Sequence, residues 1–236
     1  MERFKRTEIL FGKEKMDKLY NAHVLVVGVG GVGGYVCEML ARSGVGALTI
    51  VDFDVVSLSN INRQIIALSS TVGLPKVEVM EKRIKEINPN CVVTSKLLKV
   101  NKETIGEVFD SKFDFVVDAI DNLEGKVELI KAAKERNIPI ISAMGAGNRI
   151  QIPVFRICDV YKTYNDGLAR KFRKMLRDLG IESLDVCFCD EKSIPNPNEK
   201  VVGSTAYSPS MCGSTISAFV VLKLINEWNL FVKEKV

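Results

Sequence analysis

The stretch VLVVGVGGVGG, residues 24–34, sets Gly28, Gly30, Gly31 and Gly33 between an apolar run and a helical pattern. Glycine lets the backbone turn tightly and approach a phosphate, and the free amides and positive dipole end of the next helix face the same anion. A second apolar run ends on the acids Asp52 and Asp54. A carboxylate placed after that strand suits ribose hydroxyls. These residues name a nucleotide, and NAD, FAD and ATP satisfy them equally.

Two later stretches separate those nucleotides. SLSNINRQ, residues 57–64, and TVGLPK, residues 71–76, have no place in a redox domain. Arg63 offers a planar fork for phosphate oxygens, Lys76 a point cation, and Asn60 and Gln64 neutral hydrogen-bonding groups. With a glycine turn they suit a triphosphate. After FDFVVDAIDN, residues 113–122, the side chains of Asp118, Asp121 and Asn122 stand at a strand end. A carboxylate there can bind the magnesium that accompanies ATP, so ATP and Mg2+ are the expected cofactors.

Other chemistries are poorly supplied. The single histidine, His23, opens the first strand, where a packed ring is expected and no histidine relay can be built. Six cysteines follow no small-scaffold rhythm, and only Cys187 and Cys189 are close, with one residue between them. Zinc is therefore not expected, and buried thiols in a reducing cytoplasm are. Cys212 carries two readings: a thiol at a helix start that takes an acyl group as a thioester, or a small packing residue beside Gly213. The net charge is only +4, yet Lys162, Arg170, Lys171, Arg173, Lys174 and Arg177 crowd one segment. That segment is either a phosphate-binding face or a solvated helix surface. No apolar run reaches the roughly 18 residues of a membrane span.

The elements that must position these residues follow from periodicity. Strand-like runs at 23–28, 47–52, 91–98, 113–118 and 138–143 alternate with helical patterns at 32–43, 75–88, 101–109 and 122–136. This predicts an α/β fold, a doubly wound Rossmann-like and mainly parallel sheet with helices on both faces. VLVV, FVV and PIIS are apolar on consecutive residues, as strands covered on both faces must be. Residues 1–150 are read as the nucleotide-binding domain and 151–236 as an α+β extension of the same globular unit. In the extension a strand is expected within Ile150–Ile157, and a helix that Asp166 caps and Gly180 ends. Lys192–Ser208 is expected as a mobile or ligand-ordered loop, and Ser214–Phe231 as the last helix.

On the motifs quoted, residues 1–150 resemble the ubiquitin-activating-enzyme-like superfamily of ATP-dependent adenylating enzymes, whose simplest members are bacterial sulfur-carrier adenylyltransferases. The resemblance implies that Gly31 and Asp52 contact nucleotide, Asp52 through the ribose, that Arg63 and Lys76 hold phosphates, and that Asp121 binds magnesium and guides attack on the alpha phosphate. Asn60, Gln64 and Asn122 are supporting members. It also implies a homodimer in which an N-terminal arginine, Arg3 or Arg6, enters the partner's ATP site.

The departures narrow the branch. The zinc-binding CxxC pairs of the sulfur-carrier enzymes are absent, and there is no room for a separate cysteine domain. In their place stand DVYKTYNDGLARKFRKMLRDLGI (159–181), VCFCDEKSIP (186–195) and SPSMCGSTISAF (208–219). These are similar to the tRNA threonylcarbamoyladenosine dehydratases, although Gly167 stands where a proline is common and Cys189 replaces a serine. That branch adenylates the threonine carboxylate of the modified adenosine and closes a ring with loss of water. It gives the basic segment a reason, with Arg170, Lys171, Arg173, Lys174 and Arg177 holding tRNA phosphates. The alternative shares the ATP site: activation of the C-terminus of a ubiquitin-like sulfur carrier. Sulfur-transfer proteins are further expected partners.

Overall fold

The computed structural model describes residues 2–194, 197–199 and 201–228. Among them seven strands form one sheet: β1 (His23–Val27), β2 (Ala47–Asp52), β3 (Val92–Leu97), β4 (Phe115–Asp118), β5 (Ile140–Ala143), β6 (Phe155–Asp159) and β7 (Asp185–Cys189). Their order is β3-β2-β1-β4-β5-β7-β6. Every pairing is parallel except β6 with β7. The chain starts in the middle at β1, winds outward through β2 and β3, then returns beside β1 to build the other half. That reversal between β1 and β4 is the switch point at which such sheets open a crevice.

Among the described residues eight α-helices accompany the sheet: α1 (Lys5–Phe11), α2 (Lys13–Asn21), α3 (Gly33–Arg42), α4 (Lys76–Ile87), α5 (Ile105–Val108), α6 (Leu123–Glu135), α7 (Gly167–Asp178) and α8 (Tyr207–Leu224). The consecutive apolar residues of β1 explain the layering. Val24 and Val26 enter one core with Val36 and Leu40 of α3, Met80 of α4 and Phe219 of α8. Leu25 and Val27 enter a second with Ile130 of α6 and Phe172 of α7. Successive strand side chains point to opposite faces, so a strand covered on both must be apolar throughout.

Three expectations shift. Of the helix expected at 101–109 only Ile105–Val108 forms, because Asn101 Oδ1 accepts the amides of Glu103 at 3.0 Å and Thr104 at 2.9 Å and turns the chain before it. The strand sought within Ile150–Ile157 begins only at Phe155, since Glu191 Oε1 takes the amides of Ile150 and Gln151. The last helix starts at Tyr207, seven residues before Ser214, with Pro209 in its first turn, where a missing N–H costs nothing. It ends at Leu224, short of the expected Phe231, because the chain turns off at Asn226, which adopts φ +62°; residues 229–231 lie outside the described residues. VCFC, within a stretch whose role the sequence left open, is strand β7.

Candidate functional site

A cavity of about 590 Å³ opens at the carboxyl ends of β1, β2, β4 and β5. Its floor is the glycine turn. Gly28 adopts φ +90°, and a Cβ there would stand 2.5 Å from Ala119 O; one on Gly33 would stand 1.7 Å from Gly28 O. Only hydrogen fits at either place, and the tight turn leaves Gly30 and Gly31 lining the cavity beside Pro209. Asp52 lines it too, but its first work is local: Oδ2 accepts the Val29 amide at 2.6 Å and Oδ1 the Asp54 amide at 2.8 Å. Each oxygen keeps a further lone pair for a ligand hydroxyl.

The cations arrive from the segment after β2. Lys76 is the first residue of α4, and its buried ammonium lies 2.7 Å from the half-exposed Asp54 Oδ2. Arg63 Nη1 donates to Ser59 O at 2.8 Å and Asn62 Oδ1 at 2.9 Å. Its other nitrogens have no partner among the described residues. Gln64 lines the cavity with a buried Oε1 that no described residue satisfies. A buried polar atom without a partner is costly, which fits a site for a ligand donor. Asn60 differs: Oδ1 accepts the Ser57 amide at 3.0 Å, closing the turn that carries Arg63, and the residue does not line the cavity.

Across the crevice Asp121 is exposed at the cavity wall and bonds to no other described residue. Asn122 lines the wall and caps α6 through Oδ1, which accepts the Gly125 amide at 3.0 Å. Asp118, grouped with them by sequence, stands apart. It is fully buried and receives Lys126 Nζ at 2.9 Å and the Ser142 hydroxyl. Among the described residues no three His, Cys, Asp or Glu side chains gather as a ligand set. One free carboxylate facing a phosphate pocket nevertheless fits magnesium, which keeps waters and takes most of its protein-side charge from few groups. The sequence missed Phe53, Lys99, Leu168, Val202 and Gly145–Gly147, all of which line the cavity. The last three follow β5, and the rule that ligands sit beyond strand carboxyl ends could have found them.

Residues 4–234 match the ThiF family. The chain belongs to the ThiF family. It is 40% identical over 244 residues to a tRNA threonylcarbamoyladenosine dehydratase of Bacillus subtilis (strain 168), covering 96% of each chain. It is similar to the crystal structure of E. coli tRNA N6-threonylcarbamoyladenosine dehydratase, TcdA, in complex with ATP, at TM-score 0.90 and 34% identity, with 96% of this chain and 95% of that chain covered. A molybdopterin-synthase adenylyltransferase of Haemophilus influenzae is 33% identical over 79% of this chain and 72% of its own length.

In this ThiF-family chain the remaining side chains fall into two groups. On α7, Arg170, Lys171, Lys174 and Arg177 are exposed, with Arg177 lying 5.2 Å over the Tyr161 ring. Arg173 is set apart from them: it is half-buried, and its Nη1 donates to Thr163 O at 2.9 Å and to the Thr163 hydroxyl, which ties one arm of its fork to the chain. At the N-terminus Arg3 donates to the carbonyls of Glu86 and Ile87 at 3.5 Å, at the far end of its own α4. Arg6 is exposed and makes no bond to its own chain among the described residues.

Cys212 is not at a helix start. It is the sixth residue of α8, fully buried, with Sγ 3.8 Å from the buried Cys187 Sγ, and it does not line the cavity. Burial pushes the Cys187 thiol well above its usual value, with Cys212 adding to the shift. This placement favours the packing reading, because a thioester needs a thiol that reaches the acyl group. His23 packs as expected: Nε2 shares a 2.9 Å hydrogen bond with Thr49 Oγ1, its ring meets Phe113 edge-on, and burial lowers its pKa. No described helix is long and apolar enough to cross a membrane.

Proposed function

We propose that this chain is an ATP-dependent tRNA threonylcarbamoyladenosine dehydratase, which adenylates the threonine carboxylate of N6-threonylcarbamoyladenosine in tRNA and then cyclises it. The observation that carries the reading is the extent of the match: it covers 96% of both chains, so it includes α7, β7 and α8 as well as the nucleotide pocket. The same fold holds ATP in the E. coli relative.

A free carboxylate is a poor electrophile because it is anionic and its leaving group would be oxide. Attack of its oxygen on the alpha phosphate forms a C–O–P link and expels pyrophosphate. The ring then closes when a nitrogen or oxygen of the same side chain attacks the acyl carbon and expels AMP, with net loss of one water. The first step is positioning and electrostatics. In our reading Gly30 and Gly31 admit the phosphates, Asp52 takes the ribose, and Gln64 Oε1 gains its missing donor. Arg63, through its free nitrogens, and Lys76 meet the charge that grows on pyrophosphate. Asp121 would hold magnesium, which would supply charge neutralisation on the phosphate oxygens. The second step is intramolecular and needs no histidine relay or thiol.

The tRNA is held by the exposed cations of α7, whose first turn reaches the cavity through Leu168. The working unit is a homodimer in which Arg6, rather than Arg3, serves the partner's site. Arg3 is engaged by its own α4, whereas Arg6 is free and the neighbouring Ile9 and Leu10 expose 74% and 78% of their surface on α1. Six cysteines free of disulfides agree with a reducing cytoplasm, where the tRNA substrate resides.

Incubating the chain with ATP and threonylcarbamoyladenosine-containing tRNA, followed by mass spectrometry of the nucleosides, tests the reading. The expected product has lost one water, with stoichiometric AMP and pyrophosphate. ATP–pyrophosphate exchange supported by the C-terminus of a sulfur-carrier protein and not by the tRNA would overturn it.

A further inference from the structure

We propose that Asp166 is a positioning residue that couples the RNA-facing helix α7 to the wall of the nucleotide pocket, an inference that rests on the functional reading above. Asp166 is 5% exposed and its carboxylate is divided between two elements. Oδ1 accepts the Ala169 amide at 2.9 Å and caps α7, while Oδ2 accepts the Gly145 amide at 3.0 Å. Gly145 is pocket wall. Arg149, also buried, completes the clamp: its Nη2 lies 3.7 Å from Asp166 Oδ2 and donates to Gly145 O at 3.4 Å. Its Nε and Nη1 have no partner among the described residues, so Asp166 is the main compensation there for a buried guanidinium.

Farther along the same face of α7, Phe172 sets its ring 6.0 Å from the buried Lys126 Nζ. Lys126 in turn donates to Asp118 Oδ2 at 2.9 Å, Ser142 Oγ at 3.1 Å and Ala143 O at 2.8 Å. Asp118 Oδ1 accepts the Ile120 amide at 3.1 Å, directly before Asp121. The inner face of α7 thus grips both segments that carry the far wall of the pocket, and its outer face carries the exposed cations. Phosphates bound outside fix the helix, and the helix fixes Gly145–Gly147 relative to Asp121. A misplacement of about 1 Å in such a wall is worth roughly 100-fold in rate.

Asp166→Asn tests this selectively. Asparagine is a good N-cap and keeps an oxygen for Ala169, but it presents an NH2 group to the Gly145 amide. On the full chain, tRNA affinity is read by filter binding, ATP affinity by calorimetric titration, and turnover by AMP release at saturating tRNA. The expected result is both affinities within about twofold of wild type and turnover reduced about 100-fold. The Arg149→Met, Asp166→Asn pair removes the uncompensated guanidinium, and it should recover the melting temperature while turnover stays low. It also carries the test if the single variant does not fold. Wild-type turnover in Asp166→Asn, or turnover recovered together with stability in the double variant, would reduce Asp166 to a helix cap and overturn the coupling. A wild-type chain that releases no AMP with modified tRNA would overturn the functional reading, and the coupling with it.

Discussion

Asp118 and Asp121 are carboxylates three positions apart, and their replacement by alanine should fail in opposite ways. Asp121 is exposed and unbonded, so its loss should change stability by no more than about 0.5 kcal/mol. What it removes is a charge that acts where charge develops, and groups of that kind are worth about 2.7–4 kcal/mol, or 100- to 1,000-fold in turnover. Asp118 and Lys126 both have fully buried side chains, and Asp118→Ala strands the ammonium. Breaking a buried pair from one side costs about 3–5 kcal/mol. At roughly 2–4 °C per kcal/mol for a chain of this size, the melting temperature should fall by about 6–20 °C. Thermal unfolding monitored by circular dichroism and AMP release with ATP and modified tRNA, run on both variants, separate the cases. An Asp121→Ala enzyme within tenfold of wild-type turnover would remove that carboxylate from the reaction. An Asp118→Ala chain that melts with wild type would refute the buried pair as a structural element.

Three more outcomes are expected. Reversing Arg170, Lys171 and Lys174 together should weaken tRNA binding and flatten the log–log salt slope by about 2, at roughly 0.7 for each phosphate no longer neutralised; Arg173→Glu should instead lower the melting temperature, because it deprives Thr163 of its donor. Cys212→Ala should turn over within about twofold of wild type once thermal stability is controlled for, since the thiol is packed against Cys187; loss of AMP-forming activity in a folded variant would revive the thioester. Asp185→Asn should raise the melting temperature at pH 7. Burial raises the Asp185 pKa, against opposing pulls from Lys223 and Lys134, so the folded chain holds this proton more tightly than the unfolded one. That contribution to stability is present below the unfolded carboxylate value of about 3.9 and is lost as pH rises through the raised folded value. The advantage of the asparagine should therefore shrink as pH is lowered toward 4, and an advantage that is constant with pH would contradict the sign.

The sheet was legible because its strands obey one rule. VLVV, FVV and PIIS are apolar on every residue, and β1 sends Val24 and Val26 to one core and Leu25 and Val27 to the other. Where a local bond competes with periodicity, the pattern misled. Asn101 ends a helix-like run before it starts, and Glu191 holds Ile150 and Gln151 out of β6. Neither is visible in the spacing of apolar residues, because each is a single polar contact, the second between residues 40 and 41 positions apart.

For the site, residue types are legible in the chain but their prior commitments are not. Asp52 and Lys76 line the cavity as expected, yet one already holds the glycine turn and the other already faces Asp54. Arg173 reads as one more phosphate ligand in a row of cations and proves to be tied to Thr163. The same contact explains the spacing that makes 159–181 recognisable. Asp159 Oδ2 accepts the Ser183 hydroxyl and the Leu184 amide and anchors the turn before α7. Thr163 receives Arg173, Asp166 caps the helix and grips Gly145, and Ala169 packs in the core. A segment whose polar residues each hold another part of the chain is a mount for the helix. Under the proposed function the groups left to meet RNA are its outward cations, which follow no spacing rule beyond exposure, and that is why the motif marks the helix while including one cation, Arg173, that is tied through Nη1 to Thr163.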